Sequence, residues 1–220
     1  AVIATGVETI TGSASDVVTL ITAHKADPSQ VNIDGDYNVT VSGDVSVDQA
    51  NTIVLDTTGT ADFTGKITDS AANLLNGDGT ALNAKLTAAT SAVNGEGDGA
   101  VNVTVASGTV TAAQAHLIAD ATTGTVDFVA AISDTAANLL NGDLISTDLA
   151  QATAGAGAGD AGVDITVASG AVSVTQLNAI HAATTGKITS AISASAADLA
   201  GLDTASTDAI TATVTGTSAT

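Results

Sequence analysis

Three histidines and 23 carboxylates are the groups in this 220-residue chain with the most obvious capacity for chemistry. General acid–base catalysis would start from His24, His116 or His181, because imidazole titrates nearest neutrality. Self-alignment of the chain weakens that prospect. His116 falls where sister segments carry Asn51 and Asn178, and His181 falls where they carry Val54 and Ala119. His24 lies far in sequence from any nucleophile pattern. No cysteine, Gly-x-Ser-x-Gly turn, phosphate-cradling loop or His-Glu-x-x-His segment is present. The sequence therefore predicts no catalytic residue and no organic cofactor, and the expectation is that the chain is not an enzyme.

A hard cation is the better ligand to test. Calcium takes six to eight oxygens from carboxylates, carbonyls and water, and turns rich in Asp, Asn and Gly supply them. The candidate calcium ligands are Asp34 and Asp36, Asp78, Glu96 and Asp98, Asp143, and Asp160 with Asp164. None of these segments has the EF-hand spacing or the Gly-Gly-x-Gly-x-Asp nonapeptide, and the same residue types make ordinary turns. Thr40, Thr104 and Thr166 fall on outward strand positions, where a flat threonine row would suit an ice-binding face. Threonine is also simply a good strand residue.

Composition narrows the partners. Four lysines and no arginine oppose the acidic residues, for a formal charge of -19. Binding nucleic acid requires cations that displace counterions from phosphate, so nucleic acid is excluded, as is an anionic membrane surface. Mean hydropathy is +0.38, but no apolar run approaches the ~18 residues of a membrane span. Tyr37, Phe63 and Phe128 are the only aromatics, so any core is built of Ala, Val, Leu and Ile.

Repetition organises the chain. Residues 46–59, 111–124 and 173–186 align without a gap, each with Ser/Thr-x-x-Gln, Ile four residues beyond the Gln, and a Thr-Thr-Gly ending. A second motif begins at Ile10, Ile67, Ile132 and Ile192 and reads Ile-x-x-Ser/Thr-Ala-x-Asn/Asp. Ser/Thr-x-x-Gln is a capping box that starts a helix, and Thr-Thr-Gly reads as its left-handed C-terminal cap. Alternating stretches such as Val101–Val105, Ile165–Val167 and Val126–Ile132 read as half-buried strands. The second motif starts a shorter helix.

Strand, helix, strand, helix, repeated with a period of about 60 to 65 residues, predicts a right-handed solenoid of strand–helix coils with a parallel sheet. Val39, Val41, Val103, Val105, Ile165 and Val167 would stack as its aliphatic ladder. A parallel β-helix and a doubly wound globule are the alternatives. The expected organisation is one repeat array, in units of approximately 1–37, 38–100, 101–162 and 163–220. Residues 1–6 resemble the tail of a capped helix and 208–214 the next strand, so the array reads as a segment of a longer one. Excursions at 23–37, 76–100, 141–163 and 201–207 would emerge on one face, the second with a short helix over 81–92.

Ile-Ser-Asp-Thr-Ala-Ala-Asn-Leu (132–139), Val-Thr-Ala-Ala-Gln-Ala (110–115) and Ala-Thr-Thr-Gly-Thr-Val (121–126) resemble tandem repeats of giant bacterial cell-surface proteins, of the S-layer-like and adhesin-like kind found in marine cyanobacteria. The resemblance covers most of the chain. It implies an extracellular, secreted, cell-surface repeat protein, in a group whose members sometimes bind calcium. The expected function is a structural module of a filament, surface layer or adhesin stalk, assembling head to tail with further copies or neighbouring repeats. The alternative is a ligand- or ice-binding module, with a cell-surface polysaccharide as a candidate partner.

Overall fold

The computed structural model describes residues 2–4, 6–91, 97–154 and 159–216. The chain forms two compact units, Ala1–Ala106 with Asp120–Thr125 and Ser107–Ala119 with Val126–Thr220. The first unit contains β1 (Val2–Ala4), β2 (Thr9–Ser13), α1 (Ala14–Ala26), β3 (Val31–Ile33), β4 (Asn38–Ser42), α2 (Val47–Val54), β5 (Ala61–Phe63), β6 (Lys66–Ser70), α3 (Ala71–Leu74), α4 (Ala84–Thr90) and β7 (Asn102–Ser107). The second contains α5 (Ala112–Ala119), β8 (Val126–Phe128), β9 (Ile132–Thr135), α6 (Ala136–Leu139), β10 (Leu140–Asn141), β11 (Leu144–Ile145), α7 (Thr147–Ala152), β12 (Ile165–Ser169), α8 (Val174–Ala183), β13 (Ile188–Ala194), α9 (Ala196–Leu199) and β14 (Ala209–Val214).

Local chemistry starts the helices where the sequence places them. Ser46 and Gln49 exchange hydrogen bonds of 3.0 and 3.2 Å at the head of α2. Thr111 with Gln114 and Ser173 with Gln176 do the same for α5 and α8. Each such cap stabilises its helix by about 1 kcal/mol. Ser13, Ser70, Thr135 and Ser195 accept from the amide three residues on and start α1, α3, α6 and α9.

Strand alternation then sets the core. Val39 and Val41 of β4, Phe63 of β5 and Ile53 of α2 are buried in the first unit; Ile132, Ile165 and Ile188 of the sheet and Leu177 and Ile180 of α8 are buried in the second. Each buried Val, Leu or Ile contributes roughly 1.5–3 kcal/mol by leaving water. Val103 and Val105 are buried as expected, and Val167 is half-buried. Helices α2 and α4 pack together, as do α5 and α7. Fully enclosed alanines, Ala50, Ala89, Ala115 and Ala152, stand one on each of these four helices.

The sheets depart from the expected solenoid. β2, β4 and β5 form one parallel sheet, with Ile10 beside Val39 and Val41 beside Phe63. β1 pairs in parallel with β3, and β6 adjoins β7. In the second unit the parallel order is β14-β13-β12-β9, and β10 and β11 form an antiparallel hairpin. The fold is therefore small α/β with several short parallel sheets, not one right-handed solenoid on a single sheet. It is not a parallel β-helix either, because α1 alone is a helix of 13 residues. The physical reason lies in the excursions. Residues 76–100 supply α4 and residues 141–163 supply α7, and these helices pack on α2 and α5 rather than emerging as loops on one face.

The Thr-Thr-Gly ending also does something other than expected. Gly59, Gly124 and Gly186 do not adopt the left-handed backbone, which is found instead at glycines such as Gly43 and Gly170 that close strands. They are places where two backbones approach closely. A Cβ on Gly59 would lie 2.9 Å from the Asp36 carbonyl oxygen, and one on Gly124 would lie 2.7 Å from that of Val101.

Candidate functional site

Five of the acidic residues singled out in the sequence, Asp34, Asp78, Asp98, Asp160 and Asp164, accept hydrogen bonds from backbone amides. Asp98 accepts hydrogen bonds from the amides of Phe63 at 3.2 Å and Ala100 at 3.0 Å. Asp160 repeats the pattern with Phe128 at 3.0 Å and Gly162 at 2.8 Å. Asp164 accepts from the Lys187 amide at 2.7 Å, and Asp34 from that of Gly6 at 2.7 Å. Asp78 accepts from both the amide and the hydroxyl of Thr80. Chiefly through that hydroxyl, its carboxyl is held below the usual carboxylate range. Asp34, Asp36 and Glu8 line an open depression of about 300 Å³, while Asp143 lies exposed in the β10–β11 turn. Glu96 lies outside the described residues. Among the described residues no three His, Cys, Asp or Glu side chains converge on a common ion position.

The remaining candidates are dispersed. Thr104 is buried and Thr40 and Thr166 are half-buried, so the three do not present a flat exposed row. His24 Nδ1 lies 2.9 Å from the Val31 carbonyl oxygen. His116 Nδ1 lies 2.7 Å from Asp148 and links α5 to α7, as Lys85 links α4 to Asp48 of α2 at 2.6 Å. Sequence reading missed Asp208, whose carboxylate accepts from the amides of Ile188 at 2.8 Å and Ala205 at 2.7 Å. No local signal marked it: Asp98 and Asp160 stand four residues ahead of Asn102-Val-Thr104 and Asp164-Ile-Thr166, whereas Asp208 directly precedes Ala209 of β14.

Tyr37 forms a second polar node. Its ring is buried, its hydroxyl donates to Asp56 at 2.7 Å, and Lys25 pairs with the other oxygen of Asp56 at 2.9 Å. Burial, reinforced by the bond to Asp56, pushes the phenol well above its ordinary range. The folded chain thus favours the neutral phenol. That contribution to stability is complete below the unfolded value of about 10 and is lost as pH rises towards the folded value. Because Tyr37 is the sole tyrosine, absorbance at the phenolate band reads it directly. Little phenolate is expected at pH ~10, with the signal developing at higher pH. Tyr37→Phe is expected to lower stability by about 1 kcal/mol at neutral pH and to abolish this alkaline dependence. Half-titration at the free-tyrosine value would refute the assignment.

The most unusual surface is β14, to which Asp208 is the root. It is the outer strand of its sheet, paired with β13 from Ala209 beside Thr189 to Val214 beside Ala194. Thr215 N donates to the Ala194 carbonyl at 2.8 Å. Strand alternation therefore points the amides of Thr211 and Thr213 at β13 and those of Ile210, Ala212 and Val214 outward. The strand contains no charge and no proline. Most of it is exposed, Val214 by 64%, whereas β4 and β7, strands of similar sequence, bury their valines, and β12 buries Ile165. No known protein family, curated protein or solved structure matches the chain.

Proposed function

We propose that this chain is a structural module of an extracellular filament, surface layer or adhesin stalk, joined end to end with further copies or neighbouring repeats. The observation that carries this is β14. Sheets normally guard an outer strand with lysine, proline, a bulge or a covering element; β14 has no such residue within it, and among the described residues nothing pairs with its outer edge. The carboxylates agree, because Asp98, Asp160, Asp164 and Asp208 each hold a backbone amide of a segment distant in sequence, a structural task. The extracellular setting rests on the likeness of the repeat phrases between 110 and 139 to those of bacterial surface proteins.

Sedimentation velocity and electron microscopy from ~1 µM to ~1 mM test the proposal. Linear oligomers that lengthen with concentration are expected. With a charge of -19 on every copy, raising salt from ~0.02 M to ~0.3 M should strengthen association by screening repulsion. A monodisperse monomer across both series would overturn the proposal.

A further inference from the structure

We infer that the outer edge of β14 receives a parallel strand led by Thr-Thr-Gly, carried with its capped helix by a neighbouring repeat of the kind this chain contains three times. This rests on the end-to-end reading above and, of its two kinds of neighbour, names the repeat. The strand register identifies what β14 lacks. Ile10 lies beside Val39, Ile132 beside Ile165, and Ile192 beside Ala212. Each of these isoleucines stands three residues ahead of the Ser or Thr that caps the next helix. Ala212 therefore holds the place of Val39 and Ile165, and a left-handed glycine, Gly43 or Gly216, follows both Val39 and Ala212 four residues on. β13 fills one side of β14, as β2 fills one side of β4 and β9 one side of β12.

On their other side, β4 and β12 hold a Thr-Thr-Gly segment by the same three bonds. The first threonine hydroxyl donates to a carbonyl, Thr57 to Tyr37 and Thr184 to Val163 at 2.6 Å. The second threonine amide donates two residues further back, Thr58 to Gly35 at 2.8 Å and Thr185 to Ala161 at 2.7 Å. The residue after the glycine accepts: the Val39 amide donates to the Thr60 carbonyl at 2.8 Å, and the Ile165 amide to that of Lys187 at 2.9 Å. Thr122, Thr123 and Thr125 repeat all three bonds on Val101, Gly99 and Val103. Counted back from Ala212, the matching groups of β14 are the Ala212 amide and the Ile210 and Asp208 carbonyls. They point to the outer side of the strand, where no strand pairs among the described residues. Side chains agree. Tyr37, Val101, Val163, Val39, Val103 and Ile165 are buried, whereas Ile210 is half-buried and Ala212 exposed. A Cβ on Gly59, Gly124 or Gly186 would strike the Tyr37, Val101 or Val163 carbonyl, so a segment that fits β14 needs glycine in third place. Main-chain bonds supply the affinity of such strand addition; the hydroxyl and the glycine select the sequence.

The probe is a fluorescently labelled peptide of residues 173–190. It holds the capped helix, Thr184-Thr185-Gly186 and the start of the following strand, and it has no carboxylate side chain to oppose the acidity of the chain. Fluorescence anisotropy with the full chain should show saturable binding below ~1 mM. Thr184→Val or Gly186→Ala in the peptide should each weaken binding at least ~10-fold, and neither change touches the folding of the chain. In the chain, Ala212→Pro removes the receiving amide while sparing the ladder to β13 and should abolish binding, with circular dichroism checking the fold. The peptide variants decide the matter if that variant does not fold. No saturable binding at ~1 mM, or equal binding of the wild-type and both altered peptides, would overturn the inference. A chain that forms oligomers in sedimentation yet ignores the peptide would overturn this interface and leave the end-to-end reading with another contact. A chain that binds the peptide but stays monomeric would support the interface and overturn association between copies.

Discussion

Gly186→Ala is expected to destabilise the chain by about 3 kcal/mol or more, several times the effect of an ordinary glycine replacement. The cause is a knot of three residues. Thr184 is buried, and its hydroxyl donates to the Val163 carbonyl at 2.6 Å while accepting from the Gly186 amide at 2.9 Å. The Thr185 amide donates to the Ala161 carbonyl at 2.7 Å. These bonds draw 184–186 onto the backbone of 161–163. A Cβ on Gly186 would lie 2.5 Å from the Gly162 carbonyl oxygen and closer still to that of Val163. Both obstacles are main chain, which cannot swing aside as a side-chain tip would. Gly43→Ala is the control: it has open space but a φ of 77°, so it should cost only about 1–2 kcal/mol of left-handed strain. Urea unfolding of both variants decides between crowding and backbone conformation. Equal losses would refute the close-approach account. Thr57 with Gly59 and Thr122 with Gly124 make the same bonds to Tyr37 and Val101, so alanine at Gly59 or Gly124 should act in the same direction.

That knot also marks the boundary of what the sequence could tell. Ser46 with Gln49, Thr111 with Gln114 and Ser173 with Gln176 were legible because a capping box is complete within four residues. Val39 and Val41 were legible as core because alternation is local, and β14 was legible as a strand for the same reason. Thr-Thr-Gly was misread because its partner backbone is more than twenty residues away: Thr184 meets Val163, and Thr122 meets Val101. The acidic turns have the same difficulty. Asp98 finds Phe63 and Asp160 finds Phe128 across separations of 35 and 32 residues, and no local pattern tells a ligand-facing Asp from one that holds a distant amide. The solenoid failed on the excursions. The short helix over 81–92 was legible and α4 falls inside it, but nothing local showed that Leu86 and Ala89 would be fully buried in a helix that packs on α2. Non-local packing, invisible to periodicity, decided both.

Asp134→Ala is expected to cost about 3 kcal/mol. Asp134 is only 7% exposed and sits where the starts of two helices meet. One oxygen accepts from the Ala112 amide at 3.1 Å, in the first turn of α5. The other accepts from the Thr135 amide at 2.8 Å and from the Asn138 side chain at 2.7 Å, at the head of α6. The carboxylate thus satisfies three donors at once, and its charge lies at the positive end of the α5 dipole. Alanine would leave the buried Ala112 amide unpaired, the situation in which a lost hydrogen bond counts at its full desolvation penalty. Asp69 supplies the comparison within the same chain. It makes the matching bonds to Val47, Ser70 and Asn73 but is half-exposed, so water can replace it and Asp69→Ala should cost about 1 kcal/mol. Asp134→Asn, which keeps an acceptor but loses the charge, should fall between the two. Chemical denaturation of the three variants tests the ranking. If Asp134→Ala costs no more than Asp69→Ala, burial is not what gives this carboxylate its weight, and the helix dipole alone is left to account for both.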